Sequence, residues 1–215
     1  MSLKEIYLPL IILITLSFFI KARQKFGFDF FFIFIIYLIS NFLVELTSSI
    51  SVHYIGNNML LYNISMFTEG LTFCYVFYYI NNDTSIKKAI IISGCMFFLF
   101  WIINFSFFQK NNSLDTYTYL FSSIILATFS LITIYQFIFK NSFNNPFHNF
   151  FFWISIGILF CYLGNIPYLA SVNILAVNDW KTAISLNIIS QVVNSILYLM
   201  IIIGCLQHQP NTKLI

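Results

Sequence analysis

The sequence predicts an all-α, polytopic membrane protein, a seven-transmembrane-helix bundle with its N-terminus out and its C-terminus in. Three observations carry that prediction. Of 215 residues, 60% are apolar and 8% are charged, where a soluble domain carries about a quarter charged residues. With 28 Phe and 13 Tyr, a water-soluble fold of this size would expose large apolar patches, so membrane lipid must cover most of the surface. The apolar residues also fall into seven runs of spanning length, with the few basic residues between them.

A spanning helix needs roughly 20 mostly apolar residues, each adding about 1.5 Å of rise across a hydrocarbon core about 30 Å thick. The first run, 6–22, follows Lys4 as the core of a signal peptide would. Lys21, Arg23 and Lys25 come directly after it and no small-residue cleavage site does, so it reads as a retained span. The other runs are 30–49, 59–80, 89–108, 116–139, 147–170 and 183–206. Hydrocarbon offers no partner to an open amide, so each run is predicted as a helix. The connections are short and rich in Asn, Ser and Lys, as at Asn81 to Thr84 and Asn141 to Pro146. They leave no room for a second domain, so 1–215 reads as one seven-helix unit.

Orientation follows from Lys and Arg, which stay on the cytoplasmic side. With the N-terminus out, that side collects Lys21, Arg23, Lys25, Lys87, Lys88, Lys140 and Lys213, against Lys4, Lys110 and Lys181 outside. The expected location is the cell's inner membrane. A net charge of +3 spread over short loops builds no basic stripe, which excludes nucleic acid as a direct ligand. Cys74, Cys95, Cys161 and Cys205 all lie inside apolar runs with no CxxC pair, so neither a metal site nor a disulfide is expected. Triplets such as Asn63-Ile64-Ser65 fall within spans and are not read as glycosylation sites.

Chemistry is sought among polar side chains at membrane depth, where an ionisable group is costly and points to function. Glu45 lies about 6 Å below the outer boundary of helix two, with Asn41 one turn deeper on the same face. Glu69 lies about 15 Å down helix three, below Tyr62 and Ser65. Helix seven carries Asn187, Gln191, Asn194 and Tyr198 on one stripe, and helix six carries Trp153, Gly157, Cys161, Gly164 and Tyr168, with Asn165 beside them and Pro167 able to loosen the backbone. Asn41, Glu45, Tyr62, Glu69, Asn165, Gln191 and Asn194 are therefore expected to converge on a polar pocket open to the outside. The plainer reading of each amide is interhelical hydrogen bonding, at about 0.6 kcal/mol apiece. Glu69 has no intramembrane Lys or Arg to neutralise it, so it either stays protonated as a hydrogen-bond donor or takes a cation or an amine.

Catalytic patterns are missing: there is no HExxH, no GxSxG and no Gly-rich phosphate loop. His53, His148 and His208 sit singly near predicted helix ends and read as interfacial or solvated. Retinal is excluded, because no Lys lies between Ala183 and Leu206 to form a Schiff base. No cofactor and no metal are expected.

Several strings, taken together, resemble a family of short bacterial seven-span integral membrane proteins. They are Asn41-x3-Glu45, Leu61-Tyr62-Asn63-Ile64 with Glu69, Phe152-Trp153-Ile154-Ser155-x-Gly157, and Asn187 to Tyr198. The resemblance implies a seven-helix unit of the kind that serves membrane sensors as an input module, and brings no activity or ligand with it. It also implies an acidic residue early in helix five, where Tyr119 to Ser123 is uncharged. The leading expectation is a non-enzymatic sensor or accessory module that binds a small ligand and signals to a cytoplasmic or membrane protein partner. A cation- or proton-coupled transporter or channel competes with it. A lipid-directed hydrolase and a membrane accessory of a phage-defence system are further alternatives.

Overall fold

The described residues form seven α-helices: α1 (Leu3–Lys21), α2 (Phe28–Tyr54), α3 (Met59–Ile80), α4 (Thr84–Ile103), α5 (Thr116–Tyr135), α6 (Phe150–Asn178) and α7 (Trp180–Gln207). The structure, a computed structural model, describes residues 3–54, 58–109, 113–140 and 145–208, with no β-strand among them. Lys110 and Lys213 from the charge count, and residues 141–144 of one predicted connection, lie outside the described residues. The side chains of Lys4 and His53 do so as well.

Local chemistry sets the helix ends. Asp83 caps α4 by accepting from the Ser85 amide at 2.8 Å, Asn149 caps α6 through Phe151 at 2.8 Å, and Asp179 caps α7 through Thr182 at 3.2 Å. α2 runs on to Tyr54 and α6 to Asn178, past the expected ends at 49 and 170. Hydropathy marks the edge of the hydrocarbon, whereas the backbone ladder continues wherever nothing interrupts it. α4 and α5 each finish in a π-helical turn, Asn104–Phe108 and Gln136–Lys140.

Five helical stretches among the described residues are long and apolar enough to cross a membrane: Phe28–Ser48, Thr84–Phe108, Thr116–Lys140, Phe150–Leu175 and Lys181–Gln207. Among the described side chains of α1 the apolar stretch is Tyr7–Lys21. α3 falls outside the group because Tyr62, Asn63, Ser65, Thr68 and Glu69 lower its mean hydropathy. The outward faces are apolar, with Ile92, Leu99, Ile124, Leu131, Leu163 and Leu199 all exposed.

Each helix packs on its sequence neighbour and α7 returns to α1, so the seven close into a ring. α3 also touches α5, which leaves α4 on the periphery, where only Ile90 and Phe97 of that helix are buried. α6 and α7 make the closest pair. The small-residue stripe explains it: a Cβ on Gly164 would stand 2.6 Å from Val193 Cγ1, and one on Gly157 would stand 3.4 Å from Leu197 Cα. Glycine at these two positions lets the backbones approach.

At the end of the bundle that carries Lys21, Arg23 and Lys25, the interior is a plug of rings. Phe150 stands 4.8 Å from Phe26, 5.9 Å from Phe34 and 6.0 Å from both Phe19 and Phe30, centroid to centroid. His208 stacks on Phe26 at 5.1 Å. Its Nδ1 accepts the Phe150 amide at 3.2 Å, while Lys25 Nζ donates to the Cys205 carbonyl at 3.0 Å. His208 is thus buried and clamped between α6, α7 and the α1–α2 turn, which corrects its reading as a solvated histidine. Burial, joined by the Lys25 charge, holds its pKa below the ordinary histidine value, against the opposite pull of a hydrogen bond with the Lys25 backbone.

Candidate functional site

Four residues of α2, Tyr37, Asn41, Glu45 and Ser48, recur at spacings of four, four and three and so share one face. That face meets α3. Tyr62 Oη donates to Glu45 Oε2 at 3.3 Å and shares a hydrogen bond with Ser48 Oγ at 3.0 Å. Ser65 Oγ donates to Asn41 Oδ1 at 3.0 Å, and Tyr37 Oη donates to Glu69 Oε1 at 3.5 Å. The two carboxylates lie within electrostatic reach of each other.

Below this layer α5, α6 and α7 complete the enclosure. The Tyr198 hydroxyl lies beside that of Tyr37. Cys161 Sγ donates to Asn194 Oδ1 at 3.1 Å, and Asn165 Nδ2 donates to the Tyr119 hydroxyl at 3.2 Å. Tyr37 meets Phe73 edge-on at 5.2 Å, Phe73 meets Tyr162 at 5.9 Å, and Tyr162 stacks on Tyr119 at 5.1 Å. Glu69 is within electrostatic reach of Tyr119, Tyr162, Tyr198 and Cys161. The acid faces a wall of aromatic hydroxyls.

Two features separate this region from a closed polar core. Glu45 and Glu69 keep part of their surface accessible although helices surround them. Asn41 Nδ2 and Asn165 Oδ1 are buried with no hydrogen-bond partner, and native interiors seldom leave such atoms open. One is a donor and the other an acceptor. Among the described residues, no Lys or Arg pairs with Glu69.

The structure brings Asn41, Glu45, Tyr62 and Glu69 together directly, and Asn165 and Asn194 through Tyr119, Cys161 and Tyr198. Gln191 contributes only its backbone carbonyl, to Ser195 Oγ at 2.7 Å, and Asn187 is exposed. Sequence reasoning missed Tyr37, although it stands one turn before Asn41 on the face already singled out. It missed Tyr119 too, which carries no signal beyond being a Tyr early in α5.

It also missed a polar knot where α4 gives way to α5. Asp115 immediately precedes α5, four residues ahead of the uncharged Tyr119 to Ser123, and is 1% exposed. Asn104 Nδ2 donates to Asp115 Oδ1, and Asn63 Oδ1 accepts the Asp115 amide at 2.8 Å. Burial raises the Asp115 carboxyl pKa from its ordinary value, against the opposite pull of Thr118 and Asn104. Among the described residues, no three His, Cys, Asp or Glu side chains meet as metal ligands would.

No family model, curated protein or solved structure matches this chain.

Proposed function

We propose that the chain is a membrane-embedded binding module whose pocket, between α2, α3, α5, α6 and α7, takes a small cationic ligand such as an amine. In this reading all seven helices span the inner membrane, α3 held in place by the ring rather than by its own hydropathy. The N-terminus lies outside, because Lys21, Arg23, Lys25, Lys87, Lys88 and Lys140 then gather at the cytoplasmic end. The pocket opens outward, lipid covers the apolar faces, and a partner protein at the basic end receives a helix displacement.

One observation carries the reading: two glutamates of intermediate burial share an aromatic-walled interior in which a buried amide donor and a buried amide acceptor stand open. An ammonium group suits such a site, since carboxylates neutralise it and tyrosine faces attract it. The aromatic plug beneath, with rings 4.8–6.0 Å apart around Phe150, favours binding over passage. The experiment is binding of a panel of primary, quaternary and diamine compounds to the purified protein in lipid nanodiscs, with Glu69→Gln alongside. Saturable binding lost in the variant supports the reading, and binding equal in both overturns it. Cation flux in proteoliposomes that Glu69→Gln abolishes would replace it with a transporter.

A further inference from the structure

The knot at the start of α5 is short of hydrogen-bond donors. Asp115 Oδ2 and Asn104 Oδ1 are both buried without a partner. The one amide nitrogen between them, Asn104 Nδ2, faces three oxygens: Asp115 Oδ1, which Thr118 also serves, Gln109 Oε1 at 3.1 Å, which also accepts the Tyr117 amide at 3.1 Å, and Thr118 Oγ1 at 3.1 Å. An amide nitrogen carries two hydrogens, so it cannot serve all three. The open positions in this knot are acceptors, and the missing partner must be positive or a donor.

Charge narrows the choice. Asp115 is a buried carboxyl whose side-chain partners, Asn104 and Thr118, are neutral and do not titrate. One carboxylate calls for one positive charge. The ligand atoms on offer are carboxylate, amide and hydroxyl oxygens, which suit a hard cation and give no nitrogen or sulfur to a transition metal. The frame is fixed from two sides, since Asn63 Nδ2 donates to the Ser113 carbonyl at 3.1 Å and Asn173 Nδ2 to the Leu114 carbonyl at 3.0 Å. Asn104 itself opens the π-helical turn that ends α4, a local geometry frequent at functional sites.

We propose that Asp115, Asn104, Gln109 and Thr118 form a binding site for a single alkali-metal cation, which ties the α4–α5 connection to the bundle. The Asn104 amide turns its oxygen inward when the ion is bound, and the carboxylate supplies the balancing charge. A proton on Asp115 is the competitor, so cation affinity falls as pH drops. The site uses other residues than the amine pocket and stands or falls independently of it.

Thermal unfolding of the full chain in nanodiscs, followed by tryptophan fluorescence, tests this. N-methylglucamine chloride is replaced by lithium, sodium or potassium chloride at constant ionic strength and about pH 8. One of the three is expected to raise Tm saturably by roughly 2–4 °C, with a smaller rise at about pH 5. Asp115→Asn removes the response. Equal Tm in all four salts overturns the site in favour of a bound proton or water, and so does an undiminished response in Asp115→Asn. Should the variant not fold, lithium, sodium or potassium NMR relaxation of the wild type, with the nucleus of the ion that raised Tm, reads the site directly: saturable broadening above that of empty nanodiscs supports it, and none overturns it.

Discussion

The two halves of the bundle are held together by different chemistry. In the basic half, helices meet through rings: Phe19, Phe30, Phe34 and Phe150 are buried, and His208 ties the ends of α6 and α7 to the α1–α2 turn. In the acidic half, helices meet through single hydrogen bonds of 3.0–3.5 Å beside the rings of Tyr37, Phe73, Tyr162 and Tyr119. Close packing has no slack, whereas a set of individually weak polar contacts can be exchanged for contacts to a ligand at little cost. The comparison assigns rigidity to one half and response to the other.

The largest effect should come from breaking the rigid half. Phe150 packs on four rings and sits over Gly204, where an added Cβ would come 2.9 Å from it. Phe150→Ala leaves a cavity the ring of helices cannot close and should cost about 3–5 kcal/mol. Unfolding by denaturing detergent would measure it. A cost below about 1 kcal/mol would mean the plug is no more rigid than the pocket.

Next comes the pocket itself. Glu69→Gln keeps the size and the hydrogen bond to Tyr37 while removing a charge, so stability should shift by less than about 1 kcal/mol. Amine affinity should fall at least tenfold, about 1.4 kcal/mol or more. Tyr37→Phe should give a smaller affinity loss with the same stability. Isothermal titration beside detergent unfolding separates the two quantities, and a stability loss that matched the affinity loss would make Glu69 structural.

His208 sharpens the comparison by pH. Its folded-state pKa is lowered, chiefly by burial. The unfolded chain therefore takes up a proton as pH falls through about 6.5 while the folded chain resists, so stability drops below that pH. Protonation would also place a hydrogen on the Nδ1 that accepts from Phe150. Melting temperature should fall between about pH 7 and pH 5 in the wild type, and much less in His208→Gln.

What was legible in the sequence follows from which forces are local. Hydropathy marked all seven helices, since each run must satisfy its own amides. The pairing of Asn41 with Glu45 was legible because a spacing of four fixes a shared face. Asp115 was not, because it stands in a connection and its partners Asn63 and Asn104 come from two other helices. Asn104 in turn depends on a π-helical turn that shifts the phase of α4. The His208 clamp was hidden for a similar reason: it needs the end of α7 to stop level with Phe26 and Phe150. Gln191 and Asn194 looked equivalent on a stripe, yet three residues leave a helical face offset by about 60°, and only Asn194 reaches Cys161.

The smallest effect probes how loosely the acidic half is held. Ser65→Ala removes the donor to Asn41 Oδ1 and should cost about 0.6 kcal/mol, well under 2. Its consequence for binding should be larger than for stability. Asn41 Nδ2 already lacks a partner, so without Ser65 the amide of this buried side chain is free to turn and can present oxygen in place of nitrogen. A ligand held by that nitrogen loses affinity, and one held by carboxylates alone does not. Combining Ser65→Ala with Glu69→Gln in a double-mutant cycle on amine binding decides between these. A coupling of about 0.5 kcal/mol or more places Asn41 and Glu69 on the same ligand, and strict additivity would confine Asn41 to holding α2 against α3.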